Sequence, residues 1–258
     1  MKKAITTLVT LGALATSANA DLTRIEMGGG MWSQDPSGSI KNKVNFSNSA
    51  GEYIDNSDEK STDLNYVWAY IKHPLPILPN LRAEYSSVEN VGTVSSTGAM
   101  ALLQTLKDIH NGDKTYLEAT QYDIIPYYNL LDNTFWVSLD LGLDIKVMDI
   151  QYSVNNKEQL NTTAPIPLLY LRARGEVPFV PSLGVEGIVK WISDGGDNTV
   201  YDVLIKADYT FKVFPIVEPG IEVGYRIMNL TSKVDDGDTT SNIDLTFQGV
   251  YFGGMLRF

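Results

Sequence analysis

Apolar and polar residues alternate strictly along several segments of the chain. The clearest segment is 134–147, where Phe135, Val137, Leu139, Leu141, Leu143, Ile145 and Val147 occupy every second position. Asp140, Asp144 and Lys146 are among the residues between them. Successive side chains of a β-strand point to opposite faces, so this pattern predicts a strand with one apolar and one polar face. Segment 200–213 repeats the pattern.

The last segment, 242–258, also alternates and ends on an aromatic residue. Val250, Phe252, Leu256 and Phe258 share one face. Ile243, Leu245 and Phe247 are apolar too, but they are out of phase with that face. An extra residue in one strand would restore the phase, so the sequence predicts a β-bulge near residues 248–249.

Ten such segments are separated alternately by short turns and by longer polar stretches. The predicted strands lie near residues 22–32, 63–72, 81–89, 115–125, 134–147, 165–176, 183–192, 200–213, 221–230 and 243–258. The long polar segments, predicted to be loops, are 33–62, 91–114, 149–163, 194–199 and 233–241. An even number of strands places both termini at one end, and the asymmetry in loop length is typical of a transmembrane antiparallel up-and-down β-barrel. A soluble β-sandwich with its apolar faces inward would show the same alternation.

Residues 1–20 have the three parts of a cleaved secretory signal peptide. Lys2 and Lys3 are followed by an apolar core at 4–15 and by Ala18-Asn19-Ala20, an A-x-A cleavage site. The core is too short to span a membrane as a helix, which needs about 20 apolar residues. We therefore expect two parts, a signal peptide at 1–20 and a β-barrel domain at 21–258.

Short motifs distributed along the chain support a family resemblance. They are Gly28-Gly29-Gly30-Met31-Trp32, the stretch 70–80 with its turn His73-Pro74-Leu75-Pro76-Ile77-Leu78-Pro79-Asn80, and segments 139–143, 220–226 and 253–258. The sequence resembles the Gram-negative outer-membrane β-barrel family named for its glycine pair (OMP with GlyGly). The resemblance implies an outer-membrane location, lipid and lipopolysaccharide as surroundings, and recognition of the C-terminal strand by the barrel assembly machinery. It implies no activity and transfers no catalytic residue.

Composition narrows the possible partners. The formal net charge is −11, and removal of Lys2 and Lys3 makes it two units more negative. Such a chain cannot neutralise phosphates, so nucleic acid is not expected as a partner. Cysteine is absent, which excludes disulfides and thiol chemistry. Acidic residues cluster at 55–63 and 235–238, where they favour either a solvated surface or capture of divalent cations near lipopolysaccharide. We expect a monomer without cofactor or metal.

The polar faces of the predicted strands carry charges of both signs, which a barrel would enclose. The expected interior residues are Arg82, Glu84, Asp140, Asp144, Lys146, Arg172, Arg174, Glu186, Lys190, Lys206, Asp208, Glu222 and Arg226. In so narrow a barrel, ionised groups must be paired or hydrated. Carboxylates of the fifth strand should face arginines of the sixth, and Lys206 and Asp208 should meet Glu222 and Arg226. Two interpretations remain open: a salt-bridged plug, or a narrow porin-like passage for ions or small polar solutes.

Aromatic residues near the strand ends are typical of the girdles at a membrane interface. The residues expected there are Tyr128, Trp136, Trp191, Tyr251 and Phe258.

An enzyme is the alternative hypothesis. A ten-stranded barrel resembles the omptin proteases, and His110, near Asp108 and Asp113 in the predicted loop 91–114, is a candidate general base for an outer-rim protease or a lipid A or ester hydrolase. Asp108 precedes His110 by two positions, and no paired-Asp motif accompanies them. The apolar run 98–109 in the same loop is compatible with a short helix that either packs over the barrel mouth or contacts lipopolysaccharide or a partner.

Overall fold

The computed structural model describes residues 23–46, 49–57, 61–75, 77–97, 110–134, 136–236 and 239–258. The predicted signal peptide at 1–20 and the helix-compatible run at 98–109 lie outside these residues. Among the described residues, there is no helix with the length and hydropathy that a membrane crossing needs.

Strands account for nearly all of the described chain. They are β1 (Arg24–Phe46), β2 (Ser49–Ser57), β3 (Thr62–Lys72), β4 (Asn80–Thr97), β5 (Lys114–Thr134), β6 (Val137–Val154), β7 (Lys157–Val177), β8 (Val180–Ser193), β9 (Thr199–Thr210), β10 (Glu218–Asp236) and β11 (Thr239–Arg257).

Each strand pairs antiparallel with its neighbours, and the sheet closes on itself. The end of the barrel near the chain termini is called the lower end, and the opposite end is the upper end. β2 and β3 together fill one position between β1 and β4, because β2 pairs with the upper parts of both strands and β3 with the lower parts. β1 pairs with β11 from Glu26↔Arg257 to Val44↔Thr239, which closes the barrel. The eleven segments therefore form ten barrel positions, and the predicted ten-stranded antiparallel barrel is confirmed.

The strands are longer than the sequence predicted, since most of the segments expected to be loops continue the sheet. Segment 149–163 is a hairpin whose turn is Asn155 and Asn156, with φ of 48° and 62°. Segments 33–62 and 233–241 likewise lie largely in strands. The loop prediction was wrong for these segments because the alternation of hydrophobicity ends while the strand goes on. Beyond a membrane the outer face of a strand meets water, so the strand continues without an apolar outer row.

The predicted β-bulge near residues 248–249 is also wrong. β11 keeps one register with β1 and with β10 from end to end, as Trp32↔Tyr251 and Asp35↔Gln248 show. Leu245 and Phe247 point into the barrel together with Tyr251. The change of phase arises because the barrel interior itself becomes apolar at the height of Leu245 and Phe247.

The aliphatic rows face outward and the charged rows are enclosed. Leu141 and Leu143 are 39% and 48% exposed, whereas Asp140 and Asp144 are fully buried. Each of the ten barrel positions contributes to the exposed apolar band, with Met31, Val67, Leu81, Ile124, Leu143, Leu171, Val189, Ile205, Val223 and Val250. This distribution is the reverse of a sandwich core and is that of a barrel that crosses a lipid bilayer.

Candidate functional site

A network of buried charges fills the middle of the barrel. The thirteen charged residues expected in the interior all lie there, and none is more than 7% exposed. Glu26, Asp123 and Asp202 join them, although they were not among the predicted residues. Side-chain alternation on the closed sheet brings these groups together, because each is an inward position of its strand.

Lys190 on β8 is the centre of the network. Its Nζ lies 2.6 Å from Glu84 Oε2 on β4 and donates a hydrogen bond to Asp123 on β5. Asp144 and Asp202 each place a carboxylate oxygen 3.7 Å from the same nitrogen. One ammonium group therefore ties together carboxylates from four other strands.

Lys146 on β6 continues the network toward the upper end of the barrel. Its Nζ donates to Asp123 at 2.9 Å and to Gln121 Oε1 at 3.0 Å, and it lies 3.4 Å from Asp202. Asp202 also accepts two hydrogen bonds from Arg226, at 2.8 and 2.6 Å. Bidentate pairs of this kind hold both partners in fixed geometry.

Arginines dominate the lower part of the network, nearer the chain termini. Arg172 donates to Asp140 and to Glu186, both at 2.7 Å. Arg174 donates to both carboxylate oxygens of Asp208, at 2.6 and 2.9 Å. The expected contact between the fifth and sixth predicted strands is thus present as Asp140–Arg172.

The second expected group of contacts forms only in part. Lys206 Nζ lies 2.7 Å from Glu222 Oε2, as expected. Asp208 bonds to Arg174 instead of Arg226, and Arg226 bonds to Asp202 instead. The sequence could not distinguish these pairs, because the strand registers decide which charges share a height.

Aromatic rings surround the arginines and lysines. The Trp68 indole N–H donates to Glu222 Oε1 at 2.9 Å, and Lys206 Nζ lies 3.8 Å from the centre of the same ring. Arg226 covers Trp32 at 4.5 Å, and Arg172 covers Tyr70 at 4.6 Å. Stacking of a cation on an aromatic face stabilises the buried charge.

Sequence reasoning missed these interior rings. β3 is apolar on both faces, and its two rows differ only in type: Tyr66, Trp68 and Tyr70 face inward, while Val67 and Ile71 are exposed. The separation of aromatic from aliphatic residues was the signal that could have identified the inward face.

Glycine at position 28 makes room for this arrangement. A Cβ on Gly28 would lie 2.6 Å from Trp68 Nε1 and 2.8 Å from Glu222 Oε1. Gly28 thus allows the indole and the carboxylate to meet against the β1 backbone. One part of the glycine-rich start of β1 is therefore explained by close approach.

The aromatic residues expected at the membrane interface divide into two groups. Tyr128, Trp136 and Trp191 are exposed on the outer surface, and Phe258 is half-buried. Tyr251 is fully buried inside the barrel, where its hydroxyl donates to Glu222 and its ring meets Tyr66 edge-on at 5.1 Å. The interface assignment of Tyr251 is wrong, because odd-numbered residues of β11 face inward.

His110 stands at the upper rim. Its side chain is 60% exposed, and its Nδ1 is 4.0 Å from Asp113 Oδ2. The same oxygen accepts the backbone N–H of His110 at 2.7 Å, and this bond lowers the pKa of Asp113. The Asp113 carboxylate therefore stabilises the turn that contains His110. Among the described residues, no three histidine, aspartate or glutamate side chains come close enough together to bind a metal.

An apolar outer band, a charged interior and a closed antiparallel sheet define a transmembrane β-barrel. Solved outer-membrane barrels match this chain in fold at low identity. They include the protease OmpT of Escherichia coli (12% identity, 92% of this chain and 96% of that chain, TM-score 0.46). OprG of Pseudomonas aeruginosa gives 9% identity, 92% and 97% coverage and a TM-score of 0.39. The translocator domain of the autotransporter NalP of Neisseria meningitidis gives 12% identity, coverage of 98% of this chain and 95% of that chain, and a TM-score of 0.39.

Comparison with protein-family models and with curated protein sequences gives no match. The resemblance to the glycine-pair family therefore stays a prediction.

Proposed function

We propose that this chain is an integral, non-enzymatic protein of the Gram-negative outer membrane whose lumen is sealed by the charged network. The observation that carries this proposal is the set of bonds that Lys190 makes to Glu84 and Asp123 from the other side of the barrel. A side chain that is anchored on β8 and bonded to β4 and β5 occupies the space through which a solute would pass. The narrow passage considered from the sequence is therefore the weaker interpretation.

The burial of the network supports a structural role. Arg82, Arg172 and Arg226 are at most 2% exposed, and each is paired with a carboxylate or stacked on a ring. Ionised groups held in this way stabilise one arrangement, whereas a conducting lumen needs groups that exchange partners with water and ions.

The C-terminal strand supports export and insertion by the barrel assembly machinery. β11 completes the closure with β1, and Phe258 N–H donates to Ile25 O at 2.9 Å just beyond the last strand residue. Lipid and lipopolysaccharide then surround a monomer whose upper strands and turns stand outside the membrane.

Planar-bilayer recording tests the sealed lumen. The purified protein, shown to be folded by a heat-modifiable band on an unboiled gel, should give no conductance steps. The double variant Lys190→Ala/Arg226→Ala removes the lysine that crosses the lumen and an arginine buried beside it, and it should give small, frequent openings if it still folds. Steps in the wild-type protein whose ion selectivity changes in Lys190→Gln would instead establish a passage.

The hydrolase hypothesis depends on the 4.0 Å approach of His110 to Asp113. Outer-membrane vesicles that contain the protein can be assayed with peptide and ester substrates. Activity that is lost in His110→Ala and kept in His73→Ala would establish that hypothesis and overturn a non-enzymatic role.

A further inference from the structure

We propose that the upper half of the barrel holds a binding site for one small, uncharged hydrocarbon molecule. The site is a chamber of about 260 Å³ directly above the charged network. Its walls include Leu117, Met148, Ile150, Met228, Leu245 and Phe247, contributed by β5, β6, β10 and β11.

The position of the chamber along the barrel axis follows from the order of inward residues on β6 and β10. Met148 comes two positions after Lys146 on β6, and Met228 two positions after Arg226 on β10, both toward the upper end. The interior therefore changes from charged to apolar within one inward position. A water-filled barrel lumen is lined by polar groups, so an apolar layer at this height needs another explanation.

Gln121 forms the boundary between the two layers. Its amide oxygen accepts a hydrogen bond from Lys146 at 3.0 Å, and its amide nitrogen donates to Met228 Sδ at 3.2 Å. Gln121 thus directs both of its hydrogen bonds into the network and the floor. The wall above it is mostly apolar, with Asn42 as one of its few polar residues.

The upper boundary is polar but also internally paired. The Tyr152 hydroxyl donates to Asp55 Oδ2 at 2.9 Å, and the Thr115 hydroxyl donates to Asp55 Oδ1 at 2.6 Å. At the side, Leu160 lines the chamber and is 48% exposed near the β6–β7 turn. A ligand entering past Leu160 would come from the outer end of the barrel.

The chemistry of the ligand follows from the walls and the volume. Among the described residues that line the chamber, none is charged, so an ionised group would be unpaired there. An apolar protein cavity of about 150 Å³ stays dry and binds benzene. The chamber exceeds this volume, so it suits a two-ring aromatic compound or an alkyl chain of similar bulk. A free hydrocarbon and the acyl chain of an envelope lipid both have this chemistry.

The methionines make the site directly observable. The mature chain, refolded into lipid nanodiscs with ¹³C-methyl methionine, is titrated with naphthalene and, in a second arm, with a decanoyl lysophospholipid. Met148 and Met228 line the chamber, whereas Met31 is exposed on the outer face and Met255 lies near the lower end of the barrel, paired with Gly28 and Gly220. We expect naphthalene to shift the Met148 and Met228 signals saturably and to leave that of Met255 in place.

A filled chamber provides the matched control. Ala119 lines the chamber, and Ala83 on β4 faces outward. Ala119→Phe should weaken naphthalene binding at least about tenfold, a loss of about 1.4 kcal/mol, while Ala83→Phe should leave it unchanged. If Ala119→Phe does not fold, Ala119→Leu serves the same purpose.

The two arms separate the sources of the ligand. Saturable shifts with naphthalene alone assign the site to a free hydrocarbon, and shifts with the lysophospholipid as well assign it to an acyl chain. Shifts that grow linearly and equally at Met31, or that persist unchanged in the filled variant, would overturn the proposal. The result is independent of conductance, so it can fail while the sealed lumen stands.

Discussion

Lys190 Nζ lies 2.6 Å from Glu84 Oε2, although the two residues are 106 positions apart in the chain. β5, β6 and β7 separate their strands in the barrel, so this ion pair crosses the lumen. A buried pair of this kind is held by its mutual attraction and by the hydrogen bonds around it, and removal of one partner leaves a buried charge behind. Stability of the barrel should therefore depend on which carboxylate is neutralised.

Asp123 and Asp144 form a matched pair for this test, since both are buried beside Lys190. Asp123 accepts hydrogen bonds from Lys146 and Lys190, whereas neither oxygen of Asp144 accepts a hydrogen bond from the described residues. Asp123→Asn should lower the free energy of unfolding by about 3 kcal/mol. Asp144→Asn should change it by less than about 1 kcal/mol. Urea unfolding in lipid vesicles, followed by tryptophan fluorescence, measures both, and equal losses would contradict the pairing described here.

The glycines of β1 offer a second comparison. Gly28 faces inward against Trp68 and Glu222, whereas a Cβ on Gly29 would meet Val67 at an ordinary 3.4 Å on the outside. Gly28→Ala should destabilise the barrel by about 1–3 kcal/mol, because the indole must move. Gly29→Ala should be neutral or slightly stabilising, since alanine costs less conformational entropy than glycine in a strand. The midpoints of heat-modifiability on gels report the difference, and a larger loss for Gly29→Ala would refute the inward packing.

How much of each strand can be predicted from the sequence depends on how clearly its apolar and polar residues alternate. In β6 the aliphatic row Leu139, Leu141 and Leu143 opposes charged residues, so the strand and its two faces follow from the sequence. The choice of a barrel over a sandwich depended on the even strand number, the loop lengths and the family resemblance. In β3 both rows are apolar, so hydrophobicity alone does not place Trp68 inside, and only the split into an aromatic and an aliphatic row distinguishes the two faces. The individual ion pairs depend on registers between strands, which no pattern within one strand encodes.

The chamber could not be predicted for a related reason. Ile243, Leu245 and Phe247 broke the expected phase of β11, and a bulge was the simplest local explanation. The actual cause is a change in the composition of the interior with height, which involves residues from β5, β6 and β10 as well. Such a layer exists only once the barrel is closed.

The outer band can be tested with arginine substitutions on β6. Leu141 faces outward within the band, and Gln151 faces outward above it. Leu141→Arg should destabilise the barrel by about 2–4 kcal/mol, the usual cost of arginine near the bilayer midplane. Gln151→Arg should cost less than about 1 kcal/mol. Refolding yield into vesicles gives the comparison, and a similar yield for both variants would place β6 outside the lipid.

The β8–β9 turn gives a prediction for pH. The side chain of Asn198 donates to Asp194 Oδ2 at 2.6 Å, and the backbone N–H groups of Gly196 and Asn198 donate to Oδ1. These bonds lower the pKa of Asp194. The stabilisation is complete above the unfolded pKa, about 3.9, and is lost as the pH falls through the lower folded value. The ¹³C carboxyl titration of Asp194 should therefore have its midpoint below that of an unfolded aspartate.

Asn198 also links this turn to β10, since its side-chain oxygen accepts the backbone N–H of Lys233 at 2.9 Å. Asn198→Ala should raise the titration midpoint of Asp194 and speed the hydrogen exchange of the Lys233 amide, because both bonds use the same side chain. Asn111→Ala, in the turn beside His110, should change neither. If the midpoint rises while exchange at Lys233 stays the same, the two bonds are independent and the rim is held together by its strands alone.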